Sequence, residues 1–220
     1  MKEFLEPTYY IDADHPEIVA FTRAHTDSGK TQMENAVSIY YAVRDDIRYN
    51  PYAISSEPSS MKASTVLRQG QGYCVAKAVL LAACLRSCRI PARLGFADVK
   101  NHLTTGRLRE VMDSDLFVWH GYTDIWLENR WVKATPAFNL SLCQAFGVKP
   151  LEFDGTEDSI FHPFDVKGNR HMEYVRDRGR FADLPFEQIL DDFMKTYPRF
   201  LEKGDLNTEN FLAQAQASRS

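Results

Sequence analysis

Residues 75–85, Val-Ala-Lys-Ala-Val-Leu-Leu-Ala-Ala-Cys-Leu, are nearly all apolar and rich in Ala and Leu. These are strong helix formers, and a helix that is apolar all round has no face to offer water. Whatever fold the chain adopts must therefore surround this helix. The unbroken apolar run, residues 78–85, has eight residues, well short of the ~20 that a membrane helix needs, so the helix belongs in a globular core. It is entered through Gly70-Gln71-Gly72-Tyr73-Cys74, a glycine turn that sets a cysteine on the first helical turn.

The flanking segments supply the layers. In residues 31–49 the apolar positions Ala36, Val37, Tyr40, Val43 and Ile47 recur at three- and four-residue intervals, which predicts an amphipathic helix with Thr26, Asp27 and Ser28 as caps upstream. Shorter helices are expected over residues 16–24 and 63–69, with a turn-rich surface loop across 50–60. After Arg89-Ile90-Pro91 the period changes from helical to two. Residues 92–99 read as a strand, residues 106–112 as a helical insertion, and residues 116–127 as a strand. In the latter, Phe117, Trp119, Thr123, Ile125 and Leu127 alternate with Val118, His120, Tyr122, Asp124 and Trp126.

Glu128-Asn129 is then a two-residue turn into a strand over 130–135. That register sets Leu127 against Arg130, Thr135 against Tyr122 and Ala137 against His120. Beyond Pro150 the sequence reads as loop until Asp183-Leu184-Pro185 opens a helix with Phe186, Ile189, Leu190, Phe193, Met194 and Tyr197 as its apolar stripe, and residues 204–220 form a polar tail. The expected class is α+β. An N-terminal helical part (1–60), a core (61–145) and a C-terminal extension (146–220) together form one compact domain.

Charge and cysteine usage exclude several functions. Lys plus Arg number 26 and Asp plus Glu 30, a formal net charge of −4, so nothing draws the chain to nucleic acid or an anionic membrane. The N-terminus has mixed charge and no apolar segment, so a cytoplasmic protein without a secretory signal is expected. Cys74, Cys84, Cys88 and Cys143 contain no C-x-x-C pair and fit a reducing compartment, with Cys84 and Cys88 as buried small hydrophobes on one helix face. No spacing of His, Asp or Glu suggests a metal site, no cofactor is expected, and Ser28-Gly29-Lys30-Thr31 lacks the first glycine of a phosphate-binding loop.

Cys74 is the residue with most chemical promise. At a helix start it meets the positive end of the helix dipole and unpaired N–H groups, which favour a thiolate and could hold an oxyanion. A buried cysteine that merely begins a helix is the competing reading. A cysteine nucleophile needs a base, and of the six histidines only His120 lies inside a strongly patterned strand. His15, His25, His102, His162 and His171 fall in expected loops or helix ends.

Taken together, Gly70-Gln71-Gly72-Tyr73-Cys74, Ile90-Pro91-Ala92-Arg93, and His120 followed by Trp126-Leu127-Glu128-Asn129-Arg130-Trp131-Val132 resemble the core of the transglutaminase-like superfamily, relatives of the papain-type cysteine proteases. The resemblance implies a cysteine helix packed on an antiparallel sheet, with Cys74 as nucleophile and His120 as base. The family's third residue is an aspartate in an Asp-Pro pair, where this chain has Thr135-Pro136. Asp124 is no substitute, because four residues at ~3.3 Å each set it ~13 Å from His120 along the same strand. Thr135, as a diagonal neighbour, and Asn139, on the same face, are equal candidates to orient the imidazole, the latter as the asparagine of papain-like enzymes does.

Gln71, with Gly72 and Tyr73, is a candidate for the oxyanion and substrate site, and Tyr122 for the edge of the cleft. Arg93 reads as a structural ion pair. The implied activity is acyl transfer at an amide or peptide bond, hydrolysis ahead of transamidation, on a peptide or small amide. The alternative is a domain that has lost catalysis and binds a peptide or protein partner in the old cleft.

Overall fold

A computed structural model of the chain describes residues 1–102, 104–161, 167–168, 171–198 and 210–217. The apolar helix, α4 (Cys74–Ser87), is enclosed as its composition demands: Val75 through Arg86 are all buried. Around it lie α1 (Pro16–Ala24), α2 (Gln32–Asp46) and α3 (Ala63–Gln69). The Thr22 hydroxyl donates to the Cys84 carbonyl at 3.4 Å, tying α1 to the end of α4. Helix α2 starts later than its upstream turn residues suggest. Thr31 itself is the N-cap, in a reciprocal capping box with Glu34.

The remaining side of α4 is covered by a four-stranded antiparallel sheet, in order β5-β4-β3-β6 once the two-residue strands β1 (Arg48–Tyr49) and β2 (Gln71–Gly72) are numbered. Its strands are β3 (Ala92–Asn101), β4 (Leu116–Leu127), β5 (Arg130–Ala134) and β6 (Met172–Phe181). The Thr123 hydroxyl donates to the Ala78 carbonyl at 3.0 Å across this interface. Between β3 and β4 runs α5 (Gly106–Met112), the expected insertion.

The β4–β5 hairpin has the expected register, Leu127 against Arg130 through Thr123 against Ala134. Glu128 and Asn129 both take positive φ, 46° and 65°, the two-residue turn whose twist matches a hairpin. Pairing stops at Ala134. Thr135 then hands its N–H to the Ser159 carbonyl at 3.0 Å, so it and Ala137 do not continue the ladder beside Tyr122 and His120.

The C-terminal extension is more structured than its sequence suggests. Besides the expected helix, α7 (Phe186–Thr196), it contributes β6 as an edge strand beside β3 and α8 (Phe211–Ala217), the latter out of the polar tail. Helix α6 (Leu140–Phe146) was also unpredicted. Strand β6 reads Met-Glu-Tyr-Val-Arg-Asp-Arg-Gly-Arg-Phe and is exposed from Glu173 to Asp177 and half-buried beyond, so only its pairing with β3 makes it a strand. His162, expected in a loop, lies outside the described residues. No helix among the described residues is long and apolar enough to cross a membrane.

Candidate active site

Strands β1 and β2 pair in parallel, Arg48 with Gln71 and Tyr49 with Gly72, and so fix the turn that leads into α4. Gly70 ends α3 with φ 62°, a left-handed conformation that glycine adopts without strain. Tyr73 is then the N-cap of α4 and Cys74 its first residue, and no side chain caps this end. The N–H groups of Cys74 and Val75 act on the sulfur instead, together with the N–H of Gly121 from β4.

Gly121 makes that approach possible. A Cβ there would stand 2.9 Å from the Val75 Cα, closer than real Cβ atoms come. A lone glycine in a strand of aromatic and β-branched residues is the sequence signal for such contact, and it marks where β4 meets the cysteine helix.

Cys74 and His120 line one cavity of about 30 Å³, walled otherwise by apolar and aromatic side chains, among them Tyr49, Tyr73, Phe117 and Val118. Helix α7 supplies part of the wall through Phe193 and Tyr197, and Cys74 remains partly exposed. The Tyr197 hydroxyl accepts from the Val118 N–H and donates to the Leu116 carbonyl, both at 2.7 Å, which bolts the end of α7 to β4.

Burial dominates the electrostatics. It pushes the Cys74 thiol up to about 11, against the three N–H groups that pull it down. The expectation of a thiol made acidic by its helix is thus reversed, because desolvation in an apolar cleft outweighs backbone dipoles. Cys84, deeper in α4, is pushed to about 12. His120 is 5% exposed, and burial first, then the neighbouring His171, pull it down to about 3. At neutral pH the site therefore holds a thiol and a neutral imidazole. Phe161 lies against the imidazole with ring centroids 4.8 Å apart, and Nε2 has no hydrogen-bond partner among the described residues.

The two candidates for the third residue do not bond His120. Asn139 Oδ1 accepts from the Tyr49 N–H at 3.1 Å and its Nδ2 donates to Ser141 Oγ at 2.7 Å. It braces the cysteine turn because the chain leaves the sheet before reaching it. Thr135 is buried and its hydroxyl has no hydrogen-bond partner among the described residues.

Gln71 is tied to Arg48 and Asn50 through its Oε1, at 2.5 and 3.3 Å. With Gly72 it lines a separate cavity of about 300 Å³. Tyr73 does reach the Cys74 cavity. Tyr122 instead lines a cavity of about 420 Å³ with Lys133 and Tyr174. Arg93 is the structural ion pair expected, Nε to Asp124 at 3.1 Å with its guanidinium 4.0 Å over the Trp131 ring. Among the described residues no group of three or more His, Cys, Asp or Glu is arranged to hold a metal ion.

Sequence reasoning missed Lys77, one turn beyond Cys74. Its buried ammonium donates to the carbonyls of Arg44, Ile47 and Ala137 at 2.9, 2.6 and 2.9 Å. It thereby pins the start of the cysteine helix to the end of α2 and to the connection after β5.

Two solved structures are similar over much of the chain. One is “a Putative Cysteine Protease from Cytophaga hutchinsonii”, with TM-score 0.45 and 15% identity over 81% of this chain and 53% of that one. The other, “a Putative Protease from Parabacteroides distasonis”, has TM-score 0.40 and 18% identity over 64% of this chain and 25% of that one. This chain thus spans about half of the first and a quarter of the second. No curated protein matches. The model of the transglutaminase-like superfamily matches residues 19–136, a span that runs from within α1 to just past β5 and holds the cysteine helix, Cys74 and His120. More than half of the sequence is thereby accounted for, and the chain belongs to the transglutaminase-like superfamily, with its papain-like α+β core.

Proposed function

We propose that this protein is a cysteine-dependent acyl-transfer enzyme that hydrolyses an amide or peptide bond. The observation that carries the reading is a thiol on the first residue of α4 sharing one apolar cavity with a buried imidazole whose Nε2 has no hydrogen-bond partner among the described residues. In this reading Cys74 Sγ attacks the carbonyl carbon while His120 takes the thiol proton. The backbone N–H groups at the start of α4 hold the oxyanion. Collapse breaks the C–N bond, and the leaving amine takes its proton from His120. Water, deprotonated by His120, then attacks the thioester, releasing the acid and restoring the thiol.

Because the apolar cleft keeps thiol and imidazole neutral, this proton transfer belongs to the substrate-bound state. The four free cysteines support the cytoplasm as the setting. Two observations favour a second reading, a domain that binds a peptide partner without turning it over. No carboxylate stands at Thr135, and the cavity is small.

A screen of small amide and peptide substrates with wild type and Cys74→Ala separates the two readings. Turnover that disappears in Cys74→Ala supports the enzyme. Peptide binding without turnover in either protein replaces it with the binding domain.

A further inference from the structure

We propose that Asp98 is a positioning residue for His120, acting through the backbone of Trp119. This deepens the reading of Cys74 and His120 as a reactive pair and rests on it.

At one end, β3 and β4 pair Lys100 with Leu116 and Val99 with Phe117, whereas beyond an irregularity Ala97 stands opposite His120. Two residues of β4, Val118 and Trp119, thus face the single residue Asp98. Were the first register continued without the extra residue, Trp119 would oppose Ala97. His120 would then turn to the other face of the sheet, because strand side chains alternate. The bulge decides on which side of the sheet the imidazole lies.

The bulge is strained. Trp119 has φ 58°, a left-handed conformation that a bulky residue adopts only when its surroundings impose it. The surroundings here are specific. Asp98, 5% exposed, accepts the Trp119 N–H on Oδ1 at 3.1 Å and the Arg178 Nε–H on the same oxygen at 2.8 Å. Arg178 is itself an extra residue in β6, between Gly179 opposite Phe96 and Asp177 opposite Ala97.

Irregularities in the two strands that flank β3 therefore fall close together and meet at one carboxylate of β3. The side chain of Trp119 is held as well, its Nε1 donating to Asp192 at 2.8 Å beneath the Arg178 guanidinium, 4.9 Å from the ring. Asp98 is absent from the lining of the Cys74 cavity. Its route to the chemistry is the N–H of the residue just before His120.

The test is the rate of Cys74 alkylation by iodoacetamide in wild type, Asp98→Ala, Asp98→Asn, His120→Ala and the Asp98→Ala/His120→Ala double variant, each checked for folding by near-UV circular dichroism. Asp98→Ala is expected to slow the reaction about tenfold or more, the scale of a misplaced catalytic group. Asp98→Asn keeps the acceptor oxygen and should stay within about threefold of wild type. In the double variant the loss of Asp98 should add nothing to the loss of His120, which a merely structural role would not reproduce. An Asp98→Ala rate equal to wild type while His120→Ala is slow, or an equal loss in the His120→Ala background, overturns the positioning role and leaves the Cys–His reading standing. A His120→Ala rate equal to wild type removes both. Should Asp98→Ala not fold, Asp98→Asn decides: retention supports the acceptor role, and a tenfold loss in folded protein refutes it.

Discussion

Removing the phenyl ring of Phe193 should make Cys74 more reactive while making the protein less stable. The ring belongs to α7, lies 6.3 Å from the Tyr73 ring and helps wall the Cys74 cavity. Burial raises the thiol from 9.0 to about 11, and the opposing N–H groups belong to α4 and β4, so Phe193→Ala readmits water and leaves those donors in place. Near pH 8 a thiol at about 11 is ionised about one part in 1,000, and at its ordinary value about one part in ten, so complete rehydration with the donors still in place raises the thiolate population at least about 100-fold. Phe193 shares the wall with Tyr197, so a partial effect of about tenfold is expected, a fall of about one pH unit in the alkylation midpoint. Burial loss of a Phe costs about 3–5 kcal/mol, so thermal melts must first establish a temperature at which the variant is folded. Timed iodoacetamide labelling over a pH series, with peptide mapping, then reads Cys74, and the fully buried Cys84 reports global unfolding. A midpoint unchanged or raised, with Cys84 unlabelled, would refute the view that α7 controls the thiol.

Three further outcomes are expected. Gly121→Ala puts a Cβ 2.9 Å from the Val75 backbone; stability should fall by about 1–3 kcal/mol in urea unfolding, and Cys74 alkylation should slow as β4 and α4 separate. Lys77→Met leaves the carbonyls of Arg44, Ile47 and Ala137 without their donor; at about 1–3 kcal/mol each, offset by no longer burying an ammonium, a net loss of about 2–5 kcal/mol is expected, measurable by denaturant titration. His120 is held at about 3 against an ordinary 6.5, so the folded state takes up fewer protons than the unfolded one between those values. Its contribution is complete above 6.5 and lost as the pH falls towards 3, and His120→Gln should flatten this part of the stability curve.

The sequence by itself determined the parts whose reasons are local. A helix apolar on every face had to be enclosed, and α4 is. The alternation in residues 116–127 and the Glu128-Asn129 turn specified a hairpin and its register, because side-chain direction and turn twist are properties of a few adjacent residues. The order of the Cys74 and His120 motifs pointed to the superfamily. Tertiary structure decided what depends on residues distant in sequence. Strand β6 is a charged segment that becomes a strand only beside β3, and α7 walls a cleft built from residues about 100 positions earlier. Asn139 is claimed by Tyr49 and Ser141 because the chain leaves the sheet after Ala134. The acidity expected of Cys74 was a local inference from its helix, and burial by α7, β4 and the Tyr49 segment reversed it. The face that His120 occupies rests on an extra residue in β4, invisible to a period-two reading since its φ is imposed from outside, by the carboxylate of Asp98 on the neighbouring strand.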